Sequence, residues 1–180
     1  MKDFRSPSTA SRRGFVLICI AAFVQAPARA AEFRELSWDD LVPKDWDPMK
    51  SMKDMGAVSD FDPRALKMYD RLREIWDNAP TVPALAGQAI RIAGYLVPLD
   101  EAKDGIREFL LVPYFGACIH SPPPPANQIV HVRTQAPVKG LHTMDAIWVS
   151  GTLGMDRSDS NMGVSGYTMI ASHVTPYKGK

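Results

Sequence analysis

At Gln88 the spacing of apolar residues changes, and that change limits the folds open to this chain. Upstream, Leu66, Tyr69, Leu72, Ile75 and Trp76 recur at helical spacing. Asp62-Pro63 supplies an N-cap followed by proline at the first helical position, and Pro80 and Pro83 stop the run, which predicts a helix over 63–78. Downstream the period is two. QAIRIAGYLVPLD, REFLLVPYFG, NQIVHVRT, AIWVSGTLGM and GYTMIASHVTP are β-rich runs divided by turn signals. Gly94 and Gly151 sit inside two of these runs, where a glycine marks a bulge or a sharp bend. Strands that coil in this way, with one helix ahead of them, predict an OB-like five-stranded Greek-key barrel over 88–176 preceded by one α-helix. A small β-sandwich is the alternative.

Residues 35–62 mix acids, prolines and tryptophans without a clean period. They read as an extended lead-in, 31–62, held to a single helix-plus-barrel domain, 63–180, through Trp38, Leu41 and Trp46. The first thirty residues have a different character. Arg12 and Arg13 close a charged stretch, Phe15 to Val24 is an apolar run too short to span a bilayer, and Ala28-Arg29-Ala30 fits a signal-peptidase site. Ser11-Arg12-Arg13-Gly14-Phe15 also looks like a twin-arginine motif. The expectation is a cleaved signal peptide, 1–30, with a periplasmic mature chain that carries no transmembrane segment.

Cleavage near Ala30 would leave 16 basic and 19 acidic residues, a formal charge of −3. Sequence-independent nucleic-acid binding needs a basic surface, so nucleic acid is not an expected partner. Cleavage would also remove Cys19 and leave Cys118 as the sole cysteine. A lone thiol in an oxidising compartment is buried, metal-bound or reactive.

Cys118 stands in PYFGACIHSPPPPANQ, two residues ahead of His120 and just before Pro122, Pro123, Pro124 and Pro125. In an extended segment Cys118 and His120 would project to one side with Cα atoms about 7 Å apart. A thiolate and an imidazole suit zinc, or less well copper, and do not suit calcium or magnesium. Zinc takes four ligands, or three and a water, so His131, His142 and His173 are candidates to complete a site. Two other readings stand beside the metal. The segment is a structural corner in which the prolines stiffen the chain and Asn127 or Gln128 holds backbone groups. Or Cys118 is a nucleophile, with His120 and Asp145 cast as base and orienting acid. The proline run is also rigid enough to be a docking surface.

GYLVPLD at 94–100, FLLVPYFGACIHSPPPPANQIVHV at 109–132 and WVSGTL at 148–153 resemble a family of bacterial exported proteins catalogued as domain of unknown function 3299. The resemblance covers roughly residues 35–176. Its signature falls here on Cys118, His120, Pro122, Pro123, Pro124, Pro125, Asn127 and Gln128. The family brings no established reaction. Some relatives resemble accessory components of ABC-type metal transporters, so the resemblance implies zinc handling beside such a transporter. Relatives often carry lipoprotein or Sec leaders, and the twin-arginine-like leader departs from that pattern.

Met49, Met52 and Met55 lie three apart, a spacing that suits Cu(I) thioether ligation but reads more readily as an apolar stripe near Trp46. Asp100, Glu101 and Asp104 with Gly105 read as a solvated hairpin turn. There is no nucleophile elbow, P-loop or dinucleotide fingerprint, hence no expected nucleotide cofactor. The expectation is an exported, non-enzymatic metal-handling or transporter-accessory module. The alternatives are a thiol- or metal-dependent envelope enzyme using Cys118 and His120, and an interaction module docking through its prolines.

Overall fold

The computed structural model describes residues 32–50, 62–100, 103–119 and 122–178. The sequence expectation for the leader, and those for Met52, Met55, Glu101 and His120, fall outside the described residues.

The helix predicted at 63–78 is α1, Arg64–Asp77, with Pro63 at the N-cap and the Asp62 Oδ1 atom accepting the backbone N–H of Arg64 at 2.8 Å. Its packed side differs slightly from the apolar series in the sequence. Ala65 is buried and Met68, Leu72, Ile75 and Trp76 are half-buried, whereas Leu66 and Tyr69 are exposed. Ala65, Met68, Leu72, Ile75 and Trp76 fall at helical spacing on one face. Because so short a stretch offers two overlapping apolar stripes, the spacing identifies the helix and not its buried side.

Each β-rich run forms a strand. In chain order these are β1 (Arg34–Glu35), β2 (Ala89–Pro98), β3 (Ile106–Val112), β4 (Val130–Val138), β5 (Ala146–Gly154), β6 (Ser158–Ser160), β7 (Gly163–Ser165) and β8 (Tyr167–Pro176). The sheet order is β1-β2-β3-β4-β8-β5, and a further β2–β5 pairing closes β2, β3, β4, β8 and β5 into a barrel. All neighbouring pairs in the ring are antiparallel except β4 and β8, which run parallel with Val130 opposite Tyr167. Closure through one parallel contact between the third and last barrel strands is the OB-like arrangement, and a sandwich is set aside. The short β1 and the β6–β7 hairpin, SDSNMGVS, lie outside the predicted runs, since strands of two or three residues give no periodic signal.

Alternation along the strands fills the interior with Ile90, Ile92, Leu96, Phe109, Leu111, Val130, Val132, Ile147, Val149 and Met169, all at most 1% exposed. The two in-strand glycines have separate reasons. A side chain at Gly94 would meet the backbone carbonyl of Val112 on β3 and also the ring of Trp38, which lies across β2 and donates its indole N–H to the carbonyl of Ala93 at 2.7 Å. Gly151 sits where the β5–β8 register shifts, with the backbone of Ile170 against it.

Of the segment ahead of α1, residues 32–50 are described, and Trp38–Leu41 form a short 3-10 helix. Leu41 is fully buried, and its carbonyl accepts the hydroxyl of Tyr167 at 2.7 Å; that same hydroxyl accepts the N–H of Val82 at 2.8 Å. Trp46 is only half-buried. No helix among the described residues is long and apolar enough to cross a membrane.

Candidate functional site

Phe109 to Val112 are all buried, so β3 is covered on both faces. Phe109 and Leu111 point into the barrel; Leu110 and Val112 point out, into a second apolar cluster with Val97, Ala117, Ile129 and Met144. This outer cluster exists because residues 113–119 and 122–129 fold back over the barrel wall. Cys118, Tyr95, Leu99 and Met162 pack against it. The signature segment is therefore a lid on the barrel's outside.

The local backbone corrects the extended geometry expected for Cys118. It lies in a run of tight turns, with φ of 65°. Gly116 and Met144 also take positive φ, 87° and 67°, and Cys118 and Met144 are the two non-glycine residues with that conformation among the described ones. Left-handed backbone is costly for a side-chain-bearing residue and persists where its surroundings demand it. The two turns are joined: the Gly116 N–H donates to Met144 Sδ at 3.2 Å. Tyr114, Phe115 and Ile119 are exposed around this corner.

Cys118 is half-buried, and that burial pushes its thiol from 9.0 to about 11. The thiolate is the reactive form, so near neutral pH the native side chain is a weak nucleophile. At pH 8 the thiolate fraction falls about a hundredfold between an unperturbed thiol and this one. Iodoacetamide at pH 8 is expected to label the native protein at least tenfold more slowly than the urea-unfolded chain. Equal rates would show an open, reactive thiol.

The rest of the signature is structural in its contacts. Asn127, fully buried, donates Nδ2–H to the Pro80 carbonyl at 3.0 Å, and Gln128 donates Nε2–H to the Trp38 carbonyl at 2.9 Å. The two amides thus tie the lid to the segments that precede the barrel. Pro124 is buried and Pro122 exposed, and Pro123 faces Gly163 of the hairpin. Part of the proline rod is spent on internal packing.

The histidines go to separate places. His142 is exposed in the β4–β5 connection, its Nδ1 3.6 Å from Asp145. His173, on β8, stands edge-on to Phe33 with ring centroids 6.0 Å apart. His131, on β4, is 3% exposed and projects outward, since Val130 and Val132 on either side face the core. Its Nε2 meets Glu108 Oε1 at 2.6 Å and its Nδ1 meets Ser158 Oγ at 2.8 Å. Partial burial pushes the Glu108 carboxyl up, but hydrogen bonds from Arg133 and His131 outweigh that and hold it below its usual range. Among the described residues no three His, Cys, Asp or Glu side chains gather to hold a metal ion. The donors that share the lid cluster are soft ones, the thiol of Cys118 and the thioethers of Met144 and Met162. Zinc's usual four-donor set is not among them, whereas a soft monovalent cation suits such donors. Of these features, the His131–Glu108 contact is beyond sequence reading. Glu108 is 23 positions away and only the β3–β4 register brings it close.

A closed five-stranded barrel with an external lid, carried on a short helical and extended lead-in, is an OB-like module. The chain belongs to the family described as protein of unknown function (DUF3299), whose model matches residues 38–176. A crystal structure of a DUF3299 family protein from Pseudomonas aeruginosa PAO1, at 2.45 Å resolution, is 37% identical to it, with a TM-score of 0.66, over 83% of this chain and 99% of that one. No curated protein matches the chain.

Proposed function

We propose that this protein is a metal-handling module of the bacterial periplasm, exported by its first thirty residues, in which the Cys118 lid binds a soft metal ion. The observation that carries the reading is that Cys118 and Met144 are both left-handed and both belong to the outer apolar cluster. Strain held at two residues of metal-ligating type in one cluster is the pattern of a built site. A high thiol pKa disfavours nucleophilic catalysis at neutral pH, and a metal ion would displace the proton on binding. Thiol and thioether donors favour monovalent copper over zinc. The exposed side chains of Tyr114, Phe115 and Ile119 give a transporter or other envelope partner an apolar surface beside the ion.

Metal analysis of the purified protein tests this directly. One copper or zinc ion per chain is expected after anaerobic loading. It should be lost in Cys118→Ser and weakened about tenfold or more in Met144→Leu, with both variants folded by circular dichroism. Wild-type protein that binds neither ion would overturn the proposal, and full occupancy in Cys118→Ser would move the site elsewhere.

A further inference from the structure

Away from the lid, three side chains from three strands form one hydrogen-bonded line: Glu108 on β3, His131 on β4 and Ser158 on β6. Glu108 and His131 share the outer face of the barrel because each alternates with residues that face the core, Phe109 after Glu108 and Val130 and Val132 around His131. Glu108, as a carboxylate, only accepts, so His131 Nε2 carries the proton of the 2.6 Å bond. Nδ1 of the neutral ring is then an acceptor, and it takes the Ser158 hydroxyl at 2.8 Å. The imidazole is almost wholly buried, and Arg133 Nε, 3.1 Å from the same Glu108 oxygen, pins the carboxylate. Ser158 and His131 open onto a depression of about 480 Å³ that Arg133, Arg157 and Thr168 also line.

Packing alone does not call for this chain of groups. A hydroxyl, a tautomer-fixed imidazole and an ionised carboxylate within hydrogen-bond reach, facing a depression, are the components of an activated nucleophile. Relative to the serine-protease arrangement the two ring nitrogens exchange places, which leaves the proton path intact because the carboxylate still fixes the tautomer. Arg133 and Arg157 at the rim are each paired with one carboxylate, Glu108 and Asp159, and Asp156 lines the same depression. The guanidinium N–H groups left over from those single contacts favour a substrate with negative charge.

We propose that Ser158, His131 and Glu108 form an acyl-transfer site that hydrolyses small anionic esters. Ser158 Oγ bonds to the ester carbonyl carbon, its proton passes to His131 Nδ1, and the carbonyl electron pair moves onto oxygen. Collapse restores the carbonyl and breaks the bond to the alcohol oxygen, which leaves with the Nδ1 proton. Water, deprotonated by the same nitrogen, then attacks the acyl-serine and releases the acid, while the proton returns to Ser158. Glu108 stays ionised throughout. The site shares no residue with the Cys118 lid, so it and the metal reading stand or fall separately.

The test uses the purified protein in a Cys118→Ser background, which removes thiol reactivity. A fluorophosphonate probe is expected to label Ser158, located by peptide mapping. Hydrolysis of 4-nitrophenyl hemisuccinate should fall at least ~100-fold in Ser158→Ala and in His131→Gln. Ser158→Ala deletes one half-buried hydroxyl and keeps the fold, checked by its melting temperature, so it decides the question if His131→Gln misfolds. Absence of a Ser158 adduct, or unchanged hydrolysis in Ser158→Ala, would overturn the site. Faster turnover of the neutral 4-nitrophenyl acetate would overturn the role given to the arginines.

Discussion

Replacing Gly151 by alanine is expected to lower the stability of the barrel by about 2–4 kcal/mol, a fall of roughly 5–15 °C in melting temperature. The added Cβ would stand 2.3 Å from the carbonyl oxygen of Ile170 and 2.9 Å from the Cα of Ala171, and both are backbone atoms of the paired strand. A flexible side chain would swing away; a ladder of hydrogen bonds must part. Gly140→Ala supplies the comparison. Gly140 has φ of 71° but nothing within 4 Å of the added carbon, so its cost is the left-handed backbone alone, about 1 kcal/mol. Thermal melts of the two variants separate crowding from conformation. If Gly151→Ala melts no lower than Gly140→Ala, the close approach of β5 and β8 is not what the glycine serves.

Tyr167→Phe comes next, with an expected loss of about 2–3 kcal/mol. The fully buried phenol is the junction at which the lead-in, the turn after α1 and β8 meet. Its loss leaves the Val82 N–H without its acceptor and the buried Leu41 carbonyl without its donor, so the penalty exceeds that of one ordinary hydrogen bond. Burial raises the pKa of the hydroxyl, opposed by the hydrogen bond from Val82. A raised folded-state pKa means the neutral phenol's stabilisation is complete below pH 10.0, where the unfolded chain begins to ionise, and is lost as pH rises further. Urea melts at neutral and alkaline pH measure both effects. Tyr167→Phe should be less stable at pH 7 and lose less on going to high pH, and identical curves for variant and wild type would refute the junction.

The barrel is legible in the sequence because its strands bury one side each and so alternate: IRIAGYLV and IWVSGTL announce both the period and the glycines. β3 is legible for a second reason. FLLV has no polar alternation, and in the structure the lid covers the face that would otherwise be wet. What the sequence does not supply is convergence. Glu108, His131 and Ser158 look unrelated along the chain and meet only because of the strand register and the hairpin after β5. Cys118 is conspicuous as a lone thiol beside prolines, but its left-handed turn is hidden, since nothing in ACIH resembles the glycine or asparagine such a position favours. Asn127 and Gln128 read as backbone-holding amides, and they are; their partners, Pro80 and Trp38, lie outside any local pattern.

The place of β8 in the ring has a kinetic consequence. It fills the gap between β4 and β5, pairing with both, and it follows every other barrel strand in the chain. Until that strand has left the ribosome, β4 and β5 each present a bare edge, and the contacts that close the wall span a long stretch of chain. All the other strands are therefore made before the barrel exists. The waiting interval is one in which a binding chaperone has first access to the polypeptide.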